Sequence, residues 1–563
     1  MNILGIGGYS HDSAAALVCD GQLAAAVAEE RLSRAKHQGG LPRRAVEWCL
    51  AQAGLTLAEV DHIGGYMRPG LRLVRRIPYR LGTAWRHPLY AAAYTGYEII
   101  HNAQYVMDLR SLCGPSTRLH YLEHHPAHAA SAFLCSPFDE AALLSIDYVG
   151  EWAATWRGVG RGATITRIQQ TNYPNSLGVF YSALTDYLGF QRASDEYKVM
   201  GLASYGEPEY YDALSKVLRP GEDGAYRIDH RYTAWQYLPG SRRGYFSERF
   251  LREFGPRRAP GAPLDDRHRN LAASAQRLLE DIVLGLARRL HRETGSANLC
   301  LAGGVALNCA MNGRLQREGP FERIWVQPAA GDDGIAIGAA LQLHHRLTGA
   351  GRAFRMEHAA WGPDADAGEI EHCLHITKTP HRRSDDIAAD TARLLAEGLM
   401  VGWYQGRMEF GPRALGNRSI LADPTRADMK DLLNTHVKFR EEFRPFAPSV
   451  LAERAGEFFE GCAEAPFMQF VYPVRPEKRA LLPAITHVDG TARVQTVTEA
   501  ANPRFYRLIK AFEAIRGVPV VLNTSFNVMG EPIVHTPFDA LKCFHGTGLD
   551  ALAMGDYLVI KNP

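Results

Sequence analysis

The sequence of 563 residues predicts an α/β protein, with a duplicated N-terminal domain followed by a second α/β domain. Three observations predict this class. A strand, turn and hairpin pattern at the N-terminus recurs near residue 142, and two strand–glycine turn–helix segments follow residue 298. A stretch rich in Gly, Ala and Pro then precedes a new α/β pattern. We therefore predict a first domain over 1–350, a linker over 351–379 and a second domain over 380–563.

The first thirty residues give the clearest part of this pattern. NILGIG is an apolar strand, GYSHD a turn, SAAALVC a second strand, DG a hairpin signal and QLAAAVAEE a third strand. The segments ALLSID, AATWRGVG and GATITRIQQ repeat the layout. Such a duplicated unit places its first tight turn near a phosphate or a metal ion. The ATPase fold shared by actin and sugar kinases is built in this way, which is an analogy at the level of fold.

The segment EHHPAHAA, residues 123–130, contains three histidines within five positions. His124 and His128 are four residues apart, so on a helix they share one face and can bind one ion. Pro126 is compatible with this only if a helix begins here, because proline is tolerated in a first turn. A solvated or core-satisfied histidine cluster is the alternative. Asp332, in an acidic turn that contains glycine, could face the same ion.

A Gly-Gly turn before a helix is the next candidate feature. The segment NLCLAGGVALNCAMNGRLQ, residues 298–316, is a strand, the turn and a helix, and FERIWVQPAAGDDGIAIGAALQL repeats the layout. Glycines let the backbone approach a ligand closely, and a helix N-terminus favours anions. The pattern is compatible with a nucleotide or anion near the turn, although two glycines before a helix are also common without one.

The second domain carries basic and amide side chains on segments bounded by Gly and Pro. Fixed cations beside amide and hydroxyl donors suit a polyanionic ligand, since arginine binds phosphate through two hydrogen bonds. Surface cations paired with carboxylates are the alternative. We favour a phosphate site, because glycine and proline beside the arginines indicate fixed loops. The residues are Arg413, Arg418, Lys438, Arg444, Arg493, Asn523 and Ser525.

Composition and charge limit the classes of function. The net charge of +2 gives no overall attraction to nucleic acid or membranes, and no apolar run approaches transmembrane length. The N-terminus does not read as a signal peptide, and nine scattered cysteines without a CxxC pair predict reduced thiols in the cytoplasm. Basic runs at 68–87 and 241–260 could bind nucleic acid, but solvated helix faces or loops are the more common explanation.

The motifs taken together resemble the O-carbamoyltransferases of antibiotic and nodulation-factor biosynthesis, almost from end to end. The motifs that carry the resemblance are EHHPAHAASAF, SIDYVGEW, DEYKVMGLASYG, LAGGVALNCAMNGRL, QPAAGDDGIAIGAAL, GRMEFGPRALGNRSIL, FREEFRPFAPSVL, RVQTVTEA and LNTSFNVMGEPIV.

The resemblance implies two coupled domains. The N-terminal domain is similar to the tRNA threonylcarbamoyl-transfer enzyme, which has the duplicated actin-like ATPase fold, and the C-terminal domain to threonylcarbamoyl-adenylate synthase. The C-terminal site would make carbamoyl-adenylate from carbamoyl phosphate and ATP, with Mg²⁺ as the companion of ATP. The N-terminal site would transfer the carbamoyl group to a hydroxyl of a small molecule and release AMP.

The resemblance also implies roles for individual residues. The N-terminal domain would hold Fe(II) or another divalent ion through His124, His128, Asp147 and Asp332. Carbamoyl phosphate would contact Arg413, Lys438, Arg444, Arg493, Asn523 and Ser525. Nucleotide would contact Asp12, Lys198, Gly303, Gly304 and Asn308. The catalytic residues would be Lys438, Arg444 and Asp229.

Two departures from the family pattern concern the acceptor. Tyr148 follows the ligand Asp147 where the family has glycine, so the turn differs or the tyrosine reshapes the acceptor pocket. Residues 224–240, where the family presents an acidic residue, align poorly, and Asp229 is the candidate base. A tRNA-directed carbamoyl or threonylcarbamoyl enzyme is the alternative, and a nucleotide-binding regulatory protein a third reading. The oligomeric state is left open, with a homodimer as one option.

Overall fold

The computed structural model describes residues 1–83, 87–235 and 244–561. The chain forms two compact units. The first contains Met1–Ala26 and His37–Arg355, and the second contains Val27–Lys36 and the chain from Met356 onward. In the described part of the chain, no helix combines the length and apolarity needed to cross a lipid bilayer. The nine cysteines form no disulfide.

In the described part of the chain, twelve strands precede Met356. They are β1 Asn2–Gly7, β2 Ala14–Cys19, β3 Gln22–Ala28, β4 His62–Gly65, β5 Arg118–Tyr121, β6 Glu140–Ile146, β7 Ala153–Arg161, β8 Thr164–Asn172, β9 Leu218–Pro220, β10 Tyr226–Ile228, β11 Asn298–Ala302 and β12 Arg323–Val326.

The two large sheets formed by these strands repeat one topology. One sheet has the order β3-β2-β1-β4-β5, and the other has the order β8-β7-β6-β11-β12. In each, a three-stranded antiparallel meander is followed by two strands parallel to its first strand. The structure therefore confirms the predicted duplicated, actin-like arrangement. Since all residues of β1 after Asn2 are buried, this strand lies in the core of its sheet.

Eighteen α-helices complete the described chain. They are α1 Glu29–Ser33, α2 Arg43–Gln52, α3 Pro69–Thr83, α4 Pro88–Ser111, α5 His124–Phe133, α6 Leu177–Tyr187, α7 Glu196–Ala203, α8 Tyr211–Val217, α9 Glu248–Phe254, α10 Asp266–Thr294, α11 Cys309–Glu318, α12 Ile335–Thr348, α13 Ala367–Ile376, α14 Ile387–Ala396, α15 Met429–Leu432, α16 Pro476–Arg479, α17 Pro503–Arg516 and α18 Pro537–His545.

The second unit is built on a mixed eight-stranded sheet. Its strand order is β13-β22-β21-β14-β15-β20-β16-β19, and a two-stranded ribbon pairs β17 with β18. Helices α14 and α17 pack on this sheet through Leu395, Phe505 and Phe512, which are buried with Trp403. The strands are β13 Arg382–Arg383, β14 Val401–Tyr404, β15 Arg418–Ala422, β16 Ala447–Leu451, β17 Val471–Pro473, β18 Thr491–Arg493, β19 Gln495–Val497, β20 Val520–Ser525, β21 Ala551–Met554 and β22 Tyr557–Ile560.

The observed units differ in two ways from the predicted division into two domains joined by a linker. Helix α13 lies within the stretch predicted as a linker, because Asp366 and Glu369 form a capping box at its start. Residues 27–36 leave the first unit and pack with the second. There Arg34 donates to the main-chain oxygens of Pro532 and Ile533, and Arg31 donates to that of Gly411.

Candidate functional site

Helix α5 places two imidazoles on one buried face. It begins at His124 and has Pro126 in its first turn, as the sequence predicts. His124 is 4% exposed and His128 is fully buried, so neither is a solvated surface histidine. The rings are neighbours, with centroids 4.7 Å apart.

Two carboxylates from distant segments meet these imidazoles. Asp147 follows β6, and Asp332 lies in the turn before α12. The Nε2 atoms of His124 and His128 lie 2.8 and 3.3 Å from Asp147 Oδ2, and 3.8 and 3.4 Å from Asp332 Oδ1. One ligand atom from each of the four residues lies within 4.8 Å of the others. The four predicted ligands thus converge at one point.

The electrostatics of this cluster favour a positive charge at its centre. Burial alone would raise the pKa of Asp147, but hydrogen bonds with His124 and His128 hold it well below its ordinary value. Burial would lower the pKa of His128, yet Asp147 and Asp332 raise it to about 9. Two buried carboxylates need a compensating positive charge, which a protonated imidazole or a bound metal ion can supply. A set of two imidazoles and two carboxylates fits a divalent ion such as iron, zinc or manganese.

Neighbouring groups orient the ligands. The amide of Gly304 donates to Asp147 Oδ1 over 3.0 Å, which leaves Oδ2 facing the imidazoles. The buried carboxylate of Glu151 accepts from the His124 amide at the start of α5.

His125 is buried, and its ring nitrogens lie 2.8 Å from Ser145 Oγ and 2.9 Å from the Ala153 oxygen. Outer contacts of this kind fix ligand geometry.

His11 is a residue of this region that the sequence analysis missed. Its Nε2 atom lies 4.0 Å from Asp332, and its Nδ1 lies 3.0 Å from Asp12. Asp12 also accepts from His37, whose other nitrogen lies 3.0 Å from Ser194 Oγ. Asp12, predicted to contact nucleotide, therefore joins a chain of polar groups that reaches the cluster. The sequence signal was the SHD turn, with His11 directly before Asp12.

The Gly-Gly turn lies against the end of β6, directly before Asp147. Gly303 has φ +89° and ψ 155°, a conformation that only glycine adopts readily. A Cβ atom at this position would lie 2.2 Å from the main-chain oxygen of Ile146. This close approach explains why residue 303 is a glycine. The amide of the second glycine, Gly304, donates to Asp147.

Gly303→Ala should destabilise the first unit by about 3 kcal/mol or more, because backbone strain and a clash with main chain add together. Gly295→Ala is the matched control. Gly295 has φ +66° but open space around it, so its change should cost only about 1 kcal/mol. Urea unfolding of both variants measures the difference. Equal losses would contradict the close approach of the turn to β6.

Lys198 and Asn308, the other predicted nucleotide contacts, have partners in the fold. Lys198 pairs with Asp195 over 3.2 Å. Asn308 caps α11 by accepting from the Met311 amide, and its side-chain amide hydrogen-bonds with that of Gln276. Their contact with nucleotide stays a prediction.

Tyr148 follows Asp147 without strain. It is absent from the residues with positive φ, so the turn accepts a tyrosine. Its hydroxyl donates to that of Tyr245 over 2.9 Å, and burial raises the pKa of Tyr148 well above its ordinary value. The ring is thus held in place beside Asp147, one of the predicted ligands.

Asp229 has an environment typical of a structural ion pair. Hydrogen bonds from Arg231, and the nearby Arg219, hold its pKa well below the ordinary value. Arg219 and Arg231 each lie 2.6 Å from its Oδ2 atom. A carboxylate paired with two guanidinium groups is a weak proton acceptor, so its predicted role as base has no support from this geometry. Residues 236–240 of the poorly aligned stretch lie outside the described residues.

In the second unit, one amide joins four of the predicted motif segments. Asn523, buried on β20, donates to Ala414 O, Ser449 Oγ and Gln495 Oε1 over 3.3, 2.9 and 3.1 Å. Ala414 follows Arg413, and Gln495 lies two residues after Arg493. The Oδ1 atom of Asn523 is buried without a hydrogen-bond partner among the described residues. A polar ligand at this junction would supply one.

Lys438 contacts residues at the end of the same strand, β20. It ends a π-helical turn, Leu433–Lys438, and its side chain is buried. The ammonium donates to the Ser525 oxygen, and to both Asn527 O and Oδ1 over 3.0 Å. Burial, with Arg440 and Arg444 nearby, holds the pKa of Lys438 well below its ordinary value. An anion beside Lys438 would raise this pKa.

The arginines of the predicted phosphate site divide into two groups. Arg413, Arg444 and Arg493 are half-buried, and the Nε atom of Arg493 is buried without a partner among the described residues. Arg418 differs from these three arginines and does not fit the prediction that it belongs to the phosphate-binding cations. It is fully buried, stacks on Tyr404 at 3.7 Å and donates to main-chain oxygens that include those of Gln405 and Gly406. Its guanidinium supports the loop.

Several arginines of the two basic runs have partners within the fold. Arg72, Arg76 and Arg80, one turn apart on α3, turn inward to the buried Glu98 of α4. In the second run, Arg257 pairs with Asp186. Arg258 donates to the main-chain oxygens of Leu188 and Ala262. Residues 84–86 and 241–243 lie outside the described residues.

Comparison with known proteins gives matches along the whole chain. The family described as "Carbamoyltransferase N-terminus" matches residues 2–341, and "Carbamoyltransferase C-terminus" matches residues 392–561. The nodulation protein NolNO of Sinorhizobium fredii is 43% identical over 98% of this chain and 79% of its own length. The 3'-hydroxymethylcephem-O-carbamoyltransferase of Streptomyces clavuligerus is 28% identical over 97% of this chain and 96% of its own length.

Proposed function

This chain belongs to the carbamoyltransferase family, and we propose that it is an ATP- and carbamoyl-phosphate-dependent O-carbamoyltransferase acting on a hydroxyl of a small natural product. The relatives include O-carbamoyltransferases of cephem substrates. The observation that carries the proposal is the presence of two separate polar centres. One is the His/Asp cluster, and the other is the group of cations around β20.

The second unit would form carbamoyl-adenylate. Arg413, Arg444 and Arg493 would hold the carbamoyl phosphate and the phosphates of ATP, whose charge rises as phosphate and pyrophosphate leave. Lys438 would add a positive charge, which an anion beside it would stabilise. The unpartnered Oδ1 atom of Asn523 could accept from the carbamoyl NH₂ group.

The first unit would transfer the carbamoyl group to the acceptor. A divalent ion held by His124, His128, Asp147 and Asp332 would supply Lewis-acid polarisation of the bound carbamoyl donor. The chain itself keeps the ligands fixed through Gly304, Glu151 and His125. The Gly-Gly turn offers backbone close to this centre for a nucleotide group. Transfer to a hydroxyl then releases AMP.

A tRNA-directed enzyme loses its main support. The proposal of an RNA partner depended on the basic run at 68–87, and three of its arginines are occupied by Glu98. Phosphate backbones are bound through exposed Lys and Arg, and among the described arginines of this run only Arg68 and Arg75 are exposed. A small-molecule acceptor is the better fit.

The proposal is tested by incubating purified protein with ATP, Mg²⁺ and carbamoyl phosphate. Pyrophosphate should appear only when carbamoyl phosphate is present. Mass spectrometry with a panel of hydroxylated natural products should then give a carbamoylated product and AMP. Failure to release pyrophosphate with iron-loaded protein would contradict the proposal.

Tyr148 provides a prediction about the acceptor. If its ring borders the acceptor pocket, Tyr148→Gly should raise the acceptor KM about tenfold and leave the carbamoyl phosphate KM unchanged. Tyr148→Phe removes only the hydroxyl group that donates to Tyr245. This variant therefore shows whether the ring or the hydrogen bond determines the acceptor KM. Equal changes in both KM values would indicate a purely structural tyrosine.

A further inference from the structure

Helices α3 and α4 expose an apolar surface that the proposed chemistry does not use. Its large side chains are 47–86% exposed. Small residues lie between them on α4, and the exposed face is a regular stripe along that helix. We call this the α3–α4 surface, and its large members are Val74, Leu81, Leu89, Tyr97, Ile99, Ile100 and Met107.

The surface lacks charge over most of its length. From Pro88 to Met107 the only acidic or basic residue other than His101 is Glu98, and its carboxylate is buried on the opposite face. On α3 the exposed positions are Val74, Arg75, Pro78 and Leu81, with glycines at the ends. Within residues 69–83 and 88–107 the only exposed Lys, Arg, Asp or Glu side chain is that of Arg75, so the occupant must be largely apolar.

We propose that the α3–α4 surface binds the same surface of a second copy of this chain, across a two-fold axis. A second copy presents a stripe of the same length along α4 that also lacks charged side chains. In an isologous pairing, the apolar surface of each copy is covered by that of the other. The small residues Ala92, Ala93, Gly96 and Ala103 leave grooves into which the partner's large side chains fit.

The size of the surface agrees with a dimer. Helix α4 has 24 residues and is about 36 Å long, and α3 has 15 residues and is about 22 Å long. At about 10 Å of width per helix they offer roughly 600 Å² per copy. The total of roughly 1,200 Å² is the lower end for a specific interface.

A lipid bilayer is the competing occupant. Helices that lie on membranes carry Lys and Arg on the face opposite the apolar one. Here the opposite face of α4 is buried within the unit by Tyr105 and Leu109, and Arg72, Arg76 and Arg80 of α3 point to Glu98. Arg75 is the one exposed arginine within residues 69–83, so the surface lacks the row of cations that anionic lipids favour.

The test is light scattering on the full chain after size exclusion, over a hundredfold concentration range. Wild type should be a dimer. Ile100→Glu and Leu89→Glu should raise the dimer dissociation constant at least about a hundredfold, since each charge enters the interface twice. Ile515→Glu, at a similarly apolar and half-exposed position on α17, should leave the dimer intact.

Three outcomes would overturn the inference: a monomeric wild type throughout the range, a dimer that survives both substitutions, or a monomer that co-sediments with vesicles of phosphatidylcholine and phosphatidylserine. The last result would assign the surface to a bilayer. Circular dichroism melting confirms that each variant is folded. None of these readouts depends on the proposed carbamoyl transfer.

Discussion

Replacing His128 by alanine should remove the divalent ion from the first unit. His128 is fully buried and contacts both Asp147 and Asp332, so its loss leaves two buried carboxylates with one imidazole. Removing one ligand from such a site lowers metal affinity by orders of magnitude, because the other groups keep their desolvation cost. We expect about one ion per chain in wild type and less than one tenth of that in His128→Ala, by elemental analysis.

The matched control is His372→Ala, since His372 is exposed on α13 and should not affect metal content. His128→Ala leaves the α5 backbone intact, so thermal melting can show that the variant is folded. If a folded His128→Ala protein retains its full metal content, the ion lies elsewhere and the His/Asp cluster is a structural ion-pair network.

Arg444→Ala should abolish pyrophosphate release that depends on carbamoyl phosphate, with a loss of at least about a thousandfold. The guanidinium is half-buried, near Lys438, in the segment that leads to Ser449. A charge-assisted, bidentate contact to a phosphate contributes several kcal/mol when one partner is truncated in a buried site. A coupled pyrophosphate assay measures the rate.

Arg444→Lys and Arg507→Ala sharpen this test. Lysine keeps the charge but not the two-pronged geometry, so Arg444→Lys should retain only a small part of the rate. Arg507 is exposed on α17, and its replacement should be silent. A normal rate of pyrophosphate release in Arg444→Ala would remove Arg444 from the phosphate site.

Local patterns predicted the elements of the site well. The four-residue spacing of His124 and His128, with Pro126 between them, was sufficient to predict the start of α5. The repeated meander predicted two similar sheets. By contrast, the convergence of Asp147 and Asp332 depends on contacts between segments far apart in the chain, and only the family resemblance indicated the full set. No local period of 3.6 or 2.0 encodes such contacts.

The burial and the partners of the charged side chains were the least predictable properties. Arg418 has the same glycine- and proline-bounded setting as Arg413, yet it is fully buried and satisfies main-chain oxygens. The run at 68–87 was read as a basic stretch because its partner, Glu98, lies on the next helix. Sequence shows where charges occur, whereas their partners depend on tertiary packing. The α13 capping box, in contrast, is visible as Asp366 followed by Glu369.

The central claim is that the two units perform separate half-reactions, and His124→Ala tests it most directly. Pyrophosphate release and carbamoylated product are measured together on one folded preparation of this variant. The proposed division predicts pyrophosphate release near the wild-type rate, from the cations around β20, with almost no carbamoylated product. Loss of pyrophosphate release in both His124→Ala and Arg444→Ala would contradict the division and indicate a single composite active site.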